Sequence, residues 1–283
     1  MNITSGTRRP RAEQVLEALG KHAVVWLFCL FILIPILYIG ISSFKSNIEI
    51  NRVLSLPAAP DLENYLKVVQ NPLIVTGTLN SLFVTASAMI MAVFAAALAG
   101  YAIGRARTRF FVVIYVFFLS SLMIPTVANM AALYSLLRSL GLLNSRVGLI
   151  LVYAAGAVPF GVLVYSSFIK NVPLELDEAA TIDGCGYFQR FFLIILPLLK
   201  PAIVTHVVFS ASFIWNDFFM PFLFITSEDK KTLPPAIYSF QSNNVTDYGP
   251  IFAMLVLAVL PLIIFFLFSQ RYFYDSVAGS VKG

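Results

Sequence analysis

"AVFAAALAGYAIGRARTRF", Ala92–Phe110, carries no charge as far as Gly104 and then turns sharply basic. Its apolar part is built from alanine and glycine as much as from larger residues. Small side chains let helix backbones approach closely, which is how helices pack inside a membrane, where burying oil against oil gains little. The stretch therefore predicts one helix of a bundle rather than a lone anchor. The basic turn, Gly104–Arg109, marks a cytoplasmic loop, because Lys and Arg concentrate on that side of a bilayer.

Composition agrees. Of 283 residues, 59% are hydrophobic and only 12% are charged. A soluble domain carries about 25% charged residues, and half that share cannot cover a water-facing surface. The net charge of +5 is then an orientation signal, not a sign of nucleic-acid binding. A helix needs about 20 apolar residues to cross a hydrocarbon core about 30 Å thick. Six segments qualify, at about 22–44, 78–104, 110–133, 147–169, 199–226 and 250–270. The sequence thus predicts an all-α integral membrane protein with six transmembrane helices. A cytoplasmic segment 1–21 precedes the transmembrane domain 22–270, and a cytoplasmic tail 271–283 follows it.

The first apolar run follows Arg8, Arg9, Arg11 and Lys21 as a signal peptide would, but it is too long. Such a core is about 7–15 residues, so this run reads as an anchor that stays. With the N-terminus inside, cytoplasmic segments hold twelve of the 19 Lys and Arg residues and outer segments seven. Both termini are then cytoplasmic. The outer segment 45–77 contains the Pro-broken "LPAAPDLENY" (Leu56–Tyr65) and reads as irregular. No internal repeat is evident. Cys29 and Cys185 form no disulfide framework or metal spacing.

One stretch interrupts the oil: "ELDEAATIDGCGYFQRFFLIILPLLKPA", Glu175–Ala202. Pro173 suits a first helical turn, the acids suit the positive end of the helix dipole, and Gly184 suits a left-handed C-terminal position. A short helix over 173–184 follows. Its acids are either a solvated face or part of a helix that lies in another protein's groove, with Ala179 and Ala180 allowing close approach. Composition alone favours the first.

Spacing favours the second. Glu178-Ala179-Ala180, then Gly184, Ile194 and Leu196-Pro197 match the loop that marks permease subunits of ABC importers, and Asp183 and Phe191 resemble its carbohydrate branch. The likeness extends through Asn80–Ile90, Ala95–Phe110, Met123–Leu151, "IWNDFFMPF" (Ile214–Phe222) and the tail Gln270–Gly283. The tail departs from the family's pattern at Tyr274-Asp275-Ser276, where a glycine is common. On these residues the chain resembles the maltose-permease-like, binding-protein-dependent carbohydrate-uptake permeases.

That resemblance implies the type I ABC importer permease fold in a bacterial or archaeal inner membrane. It implies partners: a dimer of ATP-binding subunits, a second permease (as a heterodimer), an extracytoplasmic solute-binding protein and a sugar. ATP and Mg would be bound by the ATPase, so this chain needs no cofactor and is not an enzyme. The loop at about 170–198 would be the coupling element, with Glu178, Ala179, Ala180, Asp183 and Gly184 engaging the ATPase and Gly279 and Lys282 adding a tail contact.

The residues themselves agree on the chemistry that is missing. There is no G-x-x-x-x-G-K-[ST] phosphate loop and no nucleophile set. His22 and His206 are too far apart for a metal site, and His206 reads as a hydrogen-bonded interior group. Asp217 is the one acid inside a predicted span, where charge is costly and should face the bundle interior or a wet cavity. With Trp215 and Asn216 it offers a sugar a carboxylate, an amide and a stacking face; the alternative is helix packing. Asn80, Asn129 and Tyr153 are further path candidates. An importer of another small polar solute, a membrane scaffold and an ion-driven carrier are the competing readings. The carrier would be expected to place coupling acids on several spans.

Overall fold

The computed structural model describes residues 11–53, 55–106, 108–243 and 247–280, and all regular structure among them is helical. Four elements precede the basic turn: α1 (Arg11–Ser42), α2 (Asn47–Ile50), α3 (Glu63–Gln70) and α4 (Pro72–Arg105). Next come α5 (Arg109–Leu122), α6 (Met130–Ser139) and α7 (Arg146–Lys170). The acidic stretch forms α8 (Glu175–Ile182), followed by α9 (Tyr187–Arg190), a π-helical turn Phe191–Ile195 and α10 (Leu196–Leu198). The chain ends with α11 (Lys200–Asn216), α12 (Phe219–Phe224), α13 (Leu233–Asn243) and α14 (Tyr248–Ser280).

Among the described residues, four helices are long and apolar enough to span a membrane: Leu19–Ser42 within α1, Pro72–Arg105, Arg146–Lys170 and Tyr248–Gln270 within α14. Two bent pairs raise the number to six. Arg109–Leu122 meets Thr126–Ser139 at 96°, and Tyr187–Leu198 meets Lys200–Asn216 at 72°. The third predicted span is therefore not one straight helix. Pro125 stands at its break and Pro201 opens the helix after the second bend. Proline lacks an N–H and disfavours helix at the residue before it, so both breaks are written locally. The terminal helices also run past the predicted domain borders, since α1 starts at Arg11 and α14 reaches Ser280.

Two compact units are formed. One gathers the described residues of Met1–Lys67 and Thr246–Val256. Here the outer segment proves more ordered than its prolines suggest. The Asn64 amide donates to the carbonyls of Ser43 and Lys45 at 3.0 Å each. Gly249 lies so near that a Cβ on it would fall 2.4 Å from Asn64 Oδ1. The Lys45 ammonium is fully buried and donates to the Arg52 carbonyl at 2.8 Å. Backbone N–H donors of Ala58 and Ser46 hold the Glu49 carboxyl below its ordinary pKa.

The other unit, Val68–Val245 with Leu257–Gly283, holds the helical core. Asn71 opens α4 by accepting from the N–H groups of Leu73 and Ile74, with Pro72 just inside. Along α4 the small residues Ala88, Ala92, Ala96 and Gly100 recur every four positions, and all are buried. They form the face against α7. A Cβ on Gly100 would lie 2.8 Å from the Tyr165 Cβ, and one on Gly104 2.8 Å from Ile169. Between α7 and α11, Tyr165 and His206 Nδ1 are hydrogen-bonded at 2.6 Å, and His206 Nε2 lies 3.0 Å from the Ala157 carbonyl. With Nε2 donating to that carbonyl, Nδ1 accepts the tyrosine proton. His206 is fully buried, as its reading as an interior group requires.

Gly100→Ala should lower the thermal stability of the detergent-solubilised protein, since overpacking costs about 1–3 kcal/mol. Gly40→Ala, where a Cβ meets nothing within 4 Å, should leave the melting temperature unchanged or slightly raised.

Candidate functional site

The acidic stretch folds into a short helix with a closed end. Gly184 adopts φ +82°, a region in which a Cβ is penalised. Its N–H bonds to the Thr181 carbonyl at 3.1 Å, while the Cys185 N–H reaches back to Ala180 at 2.9 Å. This pair of bonds is a Schellman closure, which satisfies carbonyls that a helix end would otherwise leave unpaired.

The helix has two unlike faces. Glu175, Glu178, Ala179, Asp183 and Gly184 are exposed, and Ile182 is 86% exposed. Asp177 and Ala180, three positions apart, are buried at 7% and 4%. The acids are thus not a uniform solvated run. Ala180, expected on the partner-facing side, packs inward against its own chain.

Asp177 meets the end of α4. Its Oδ2 lies 2.7 Å from Arg105 Nη2, and Tyr101 donates its O–H to Oδ1. Oδ2 accepts no aligned hydrogen bond, so the Arg105 approach is a charge contact. The same guanidinium donates to the carbonyls of Ile169 (3.0 Å) and Val172 (2.8 Å), at and just beyond the end of α7. On the far side, the Tyr101 ring lies 5.0 Å from that of Tyr187 and 5.8 Å from Phe191. Arg190 returns to α8 by donating to Thr181 Oγ1 at 2.9 Å, and Thr181 donates to the Asp177 carbonyl at 2.6 Å. None of Tyr101, Arg105 and Asp177 stands out in sequence as a site residue. The available signal was spacing: Tyr101 and Arg105 are one turn apart at the end of the small-residue face.

The candidate path residues divide. Tyr153, 4% exposed, donates to Asp217 Oδ2 at 2.8 Å. Asp217 Oδ1 accepts the Phe219 N–H at 3.0 Å, so this acid sits at the break between α11 and α12 rather than within a continuous span. Tyr153 lines a cavity of about 360 Å³ with Thr126, Phe160, Ser210 and Phe213. Asn129 lines a second cavity, of about 440 Å³, which shares Thr126, Val152, Gly156 and Met220 with the first. Thr126 and Ser210 were missed in sequence because single hydroxyls in apolar runs carry no spacing signal.

The others are turned elsewhere. Trp215 is buried and donates its indole N–H to the Ala258 carbonyl at 3.0 Å; its ring lines an apolar cavity of about 640 Å³ among α4, α11 and α14. Asn216 is exposed and donates to the Ser212 carbonyl in its own helix. Asn80 is 2% exposed. Both its N–H donors are taken by the carbonyls of Asp229 and Lys231, and Arg146 donates to its oxygen. It clasps a loop and offers a passing solute no donor. Gly279 falls on the backbone of α14, and Lys282 lies outside the described residues.

This arrangement has relatives. Residues 88–279 match the family described as "Binding-protein-dependent transport system inner membrane component". The protein named "Probable ABC transporter permease protein YurM" of Bacillus subtilis (strain 168) is 35% identical, covering 97% of this chain and 92% of that protein. The "Diacetylchitobiose uptake system permease protein NgcG" of Streptomyces coelicolor is 34% identical, covering 93% and 86%. In structure the chain is similar to one from the "Crystal structure of a bacterial ABC transporter involved in the import of the acidic polysaccharide alginate". That match has a TM-score of 0.81 at 23% identity, covering 94% of this chain and 99% of that one. The chain is a multi-pass membrane permease subunit of the ABC-importer type, a transport component rather than an enzyme. It belongs to the binding-protein-dependent transport system inner membrane component family, and its resemblance to carbohydrate-uptake permeases stands.

Gly184→Ala should loosen the end of α8 by about 1–2 kcal/mol, the penalty for a Cβ in the left-handed region. The Cys185 amide, protected by its bond to Ala180, should then exchange with deuterium about tenfold faster.

Proposed function

We propose that this chain forms half of the translocation path of an ATP-driven importer for a sugar or oligosaccharide, and that α8 is the handle by which an ATPase moves it. The observation that carries the reading is the outer face of α8. A helix closed at Gly184 presents Glu178, Ala179 and a nearly bare Ile182 side by side. An exposed isoleucine beside a carboxylate and an alanine suits a partner's cleft. The alanine permits close approach, the isoleucine buries about 0.8 kcal/mol per methylene, and the carboxylate offers charge-assisted bonds. Glu178, Ala179, Asp183 and Gly184 are the contact set, and Ala180 supports them from inside.

In this reading ATP and Mg are bound by the ATPase pair. A second permease completes the path, and an extracytoplasmic binding protein delivers the solute. The basic turn Gly104–Arg109 and α8 face the cytoplasm, as do both termini. The spaced loop motif and the family's description as binding-protein-dependent support this assembly. The diacetylchitobiose permease among the relatives supports an oligosaccharide as the solute class.

Tyr153, which lines the cavity with Thr126 and Ser210 and is held by Asp217 behind it, is the group best placed for solute hydroxyls. Pockets for small ligands are typically about 300–1,000 Å³, so one half of a sugar site fits there, with Asn129 in the adjoining space. Hydrogen bonds and aromatic faces together recognise a sugar ring, and Phe160 and Phe213 supply the faces.

Purification of the tagged chain from its native membranes in mild detergent tests the assembly. Wild type should bring an ATP-binding subunit and a second permease. Glu178→Lys should keep the second permease and lose most of the ATPase. Recovery of no ATPase with wild type, while other membrane complexes survive, would refute the importer reading.

In the reconstituted assembly Tyr153→Phe should weaken solute transport about tenfold, the loss of one useful hydrogen bond, with the ATPase still bound. Unchanged transport would remove Tyr153 from the path.

A further inference from the structure

We propose that Tyr101, Arg105 and Asp177 are positioning residues for coupling: a buried clasp that makes α8 a rigid extension of α4 and α7. The proposal rests on α8 being the ATPase's handle and adds how its motion reaches the spans.

A handle is useful only if it does not bend at its root. The root here is a short connection after α7, from Asn171 to Leu174, with no helix of its own. Such a hinge would let α8 swing while the bundle stayed still. Arg105 removes that freedom. Its guanidinium is held at one side by the carbonyls of Ile169 and Val172 and lies 3.4 Å from that of Pro173. At the other side it faces Asp177, 2.7 Å away. One planar cation thus ties the end of α4, the end of α7, the connection and α8. Arginine suits this because its donors are fixed in a plane.

Burial separates this pair from an exposed salt bridge. The two side chains are 14% and 8% exposed, so water screens them less than it screens a surface pair. Breaking such a pair leaves a charge without its partner, which is strongly unfavourable. Tyr101 closes the other carboxylate oxygen and stacks near Tyr187 and Phe191, at the start of the π-helical segment that leads to α11. Movement imposed on α8 is therefore passed to α4 and α7 directly, and to the α9–α11 segment through Tyr101, Thr181 and Arg190. The acids of α8 divide the work, with Glu178 outward for the partner and Asp177 inward for the lever.

Asp177→Asn and Tyr101→Phe test this in the full assembly. Asparagine still accepts from Tyr101 but carries no charge, and phenylalanine keeps the ring contacts while losing the O–H. Two readouts are taken. One is solute moved per ATP hydrolysed in proteoliposomes. The other is the distance between nitroxides on Glu175→Cys and Arg109→Cys, both exposed, in a chain whose Cys29 and Cys185 are serine. Both variants should retain the ATPase and hydrolyse ATP, yet move at least about tenfold less solute per ATP, a ratio of about 1.4 kcal/mol, with a broadened label distance. A wild-type ratio in both variants overturns the proposal, and so does a reduced ratio with the distance still narrow. Failure of wild type itself to couple ATP to uptake refutes the importer reading instead, and the label distances still decide whether the clasp holds α8.

Discussion

The approach of α4 to α7 is the constraint from which the rest of the larger unit follows. Gly100 and Gly104 leave no room for a Cβ against Tyr165 and Ile169. In a bilayer, association of two apolar helices gains little from the hydrophobic effect and depends on how many atoms meet at contact distance. Small residues every fourth position supply that contact. The stripe does more than hold two helices together. It sets the register between them, and the register places Arg105 beside carbonyls at the end of α7 and just beyond it. A shift of one turn, about 5.4 Å, would carry the guanidinium away from Asp177.

Several buried polar groups of the bundle are engaged across distant elements, although the hydroxyls of Thr85 and Thr232 and the Nε of Arg105 and Arg190 accept or donate no hydrogen bond. His206 bridges Tyr165 and Ala157, Asn80 gathers a loop with Arg146, and Asp217 holds a helix break with Tyr153. Each ties together elements distant in sequence. The outer face of α8, in contrast, leaves Glu178 and Ile182 exposed. On the proposed function, that exposed face is where the ATPase grips α8.

Asp217 and Asn80 show the limits of residue type as evidence. Both are polar residues in oily surroundings, and both read in sequence as path residues. The structure gives Asn80 wholly to a loop and divides Asp217 between a helix end and Tyr153. The distinction is one of direction. A carboxamide on a helix can face a cavity, a neighbouring loop or its own backbone, and hydropathy is the same in each case.

Sequence alone determined the class of fold. Low charge, six apolar runs and a small-residue face can be satisfied only by a helical bundle in lipid, because every backbone group there must be paired within the protein. It also determined the family, through a loop motif whose residues lie close in the chain, and the closure of α8, because Gly184 needs only local geometry. What it could not determine were contacts between distant segments. The two breaks were marked by prolines, but their angles of 96° and 72° are set by what the halves pack against. That Asp177 turns inward while Glu178 turns outward is decided by a cation seventy-two positions earlier in the chain, at Arg105. Four acids in nine residues look alike until a partner at the end of another helix selects one of them.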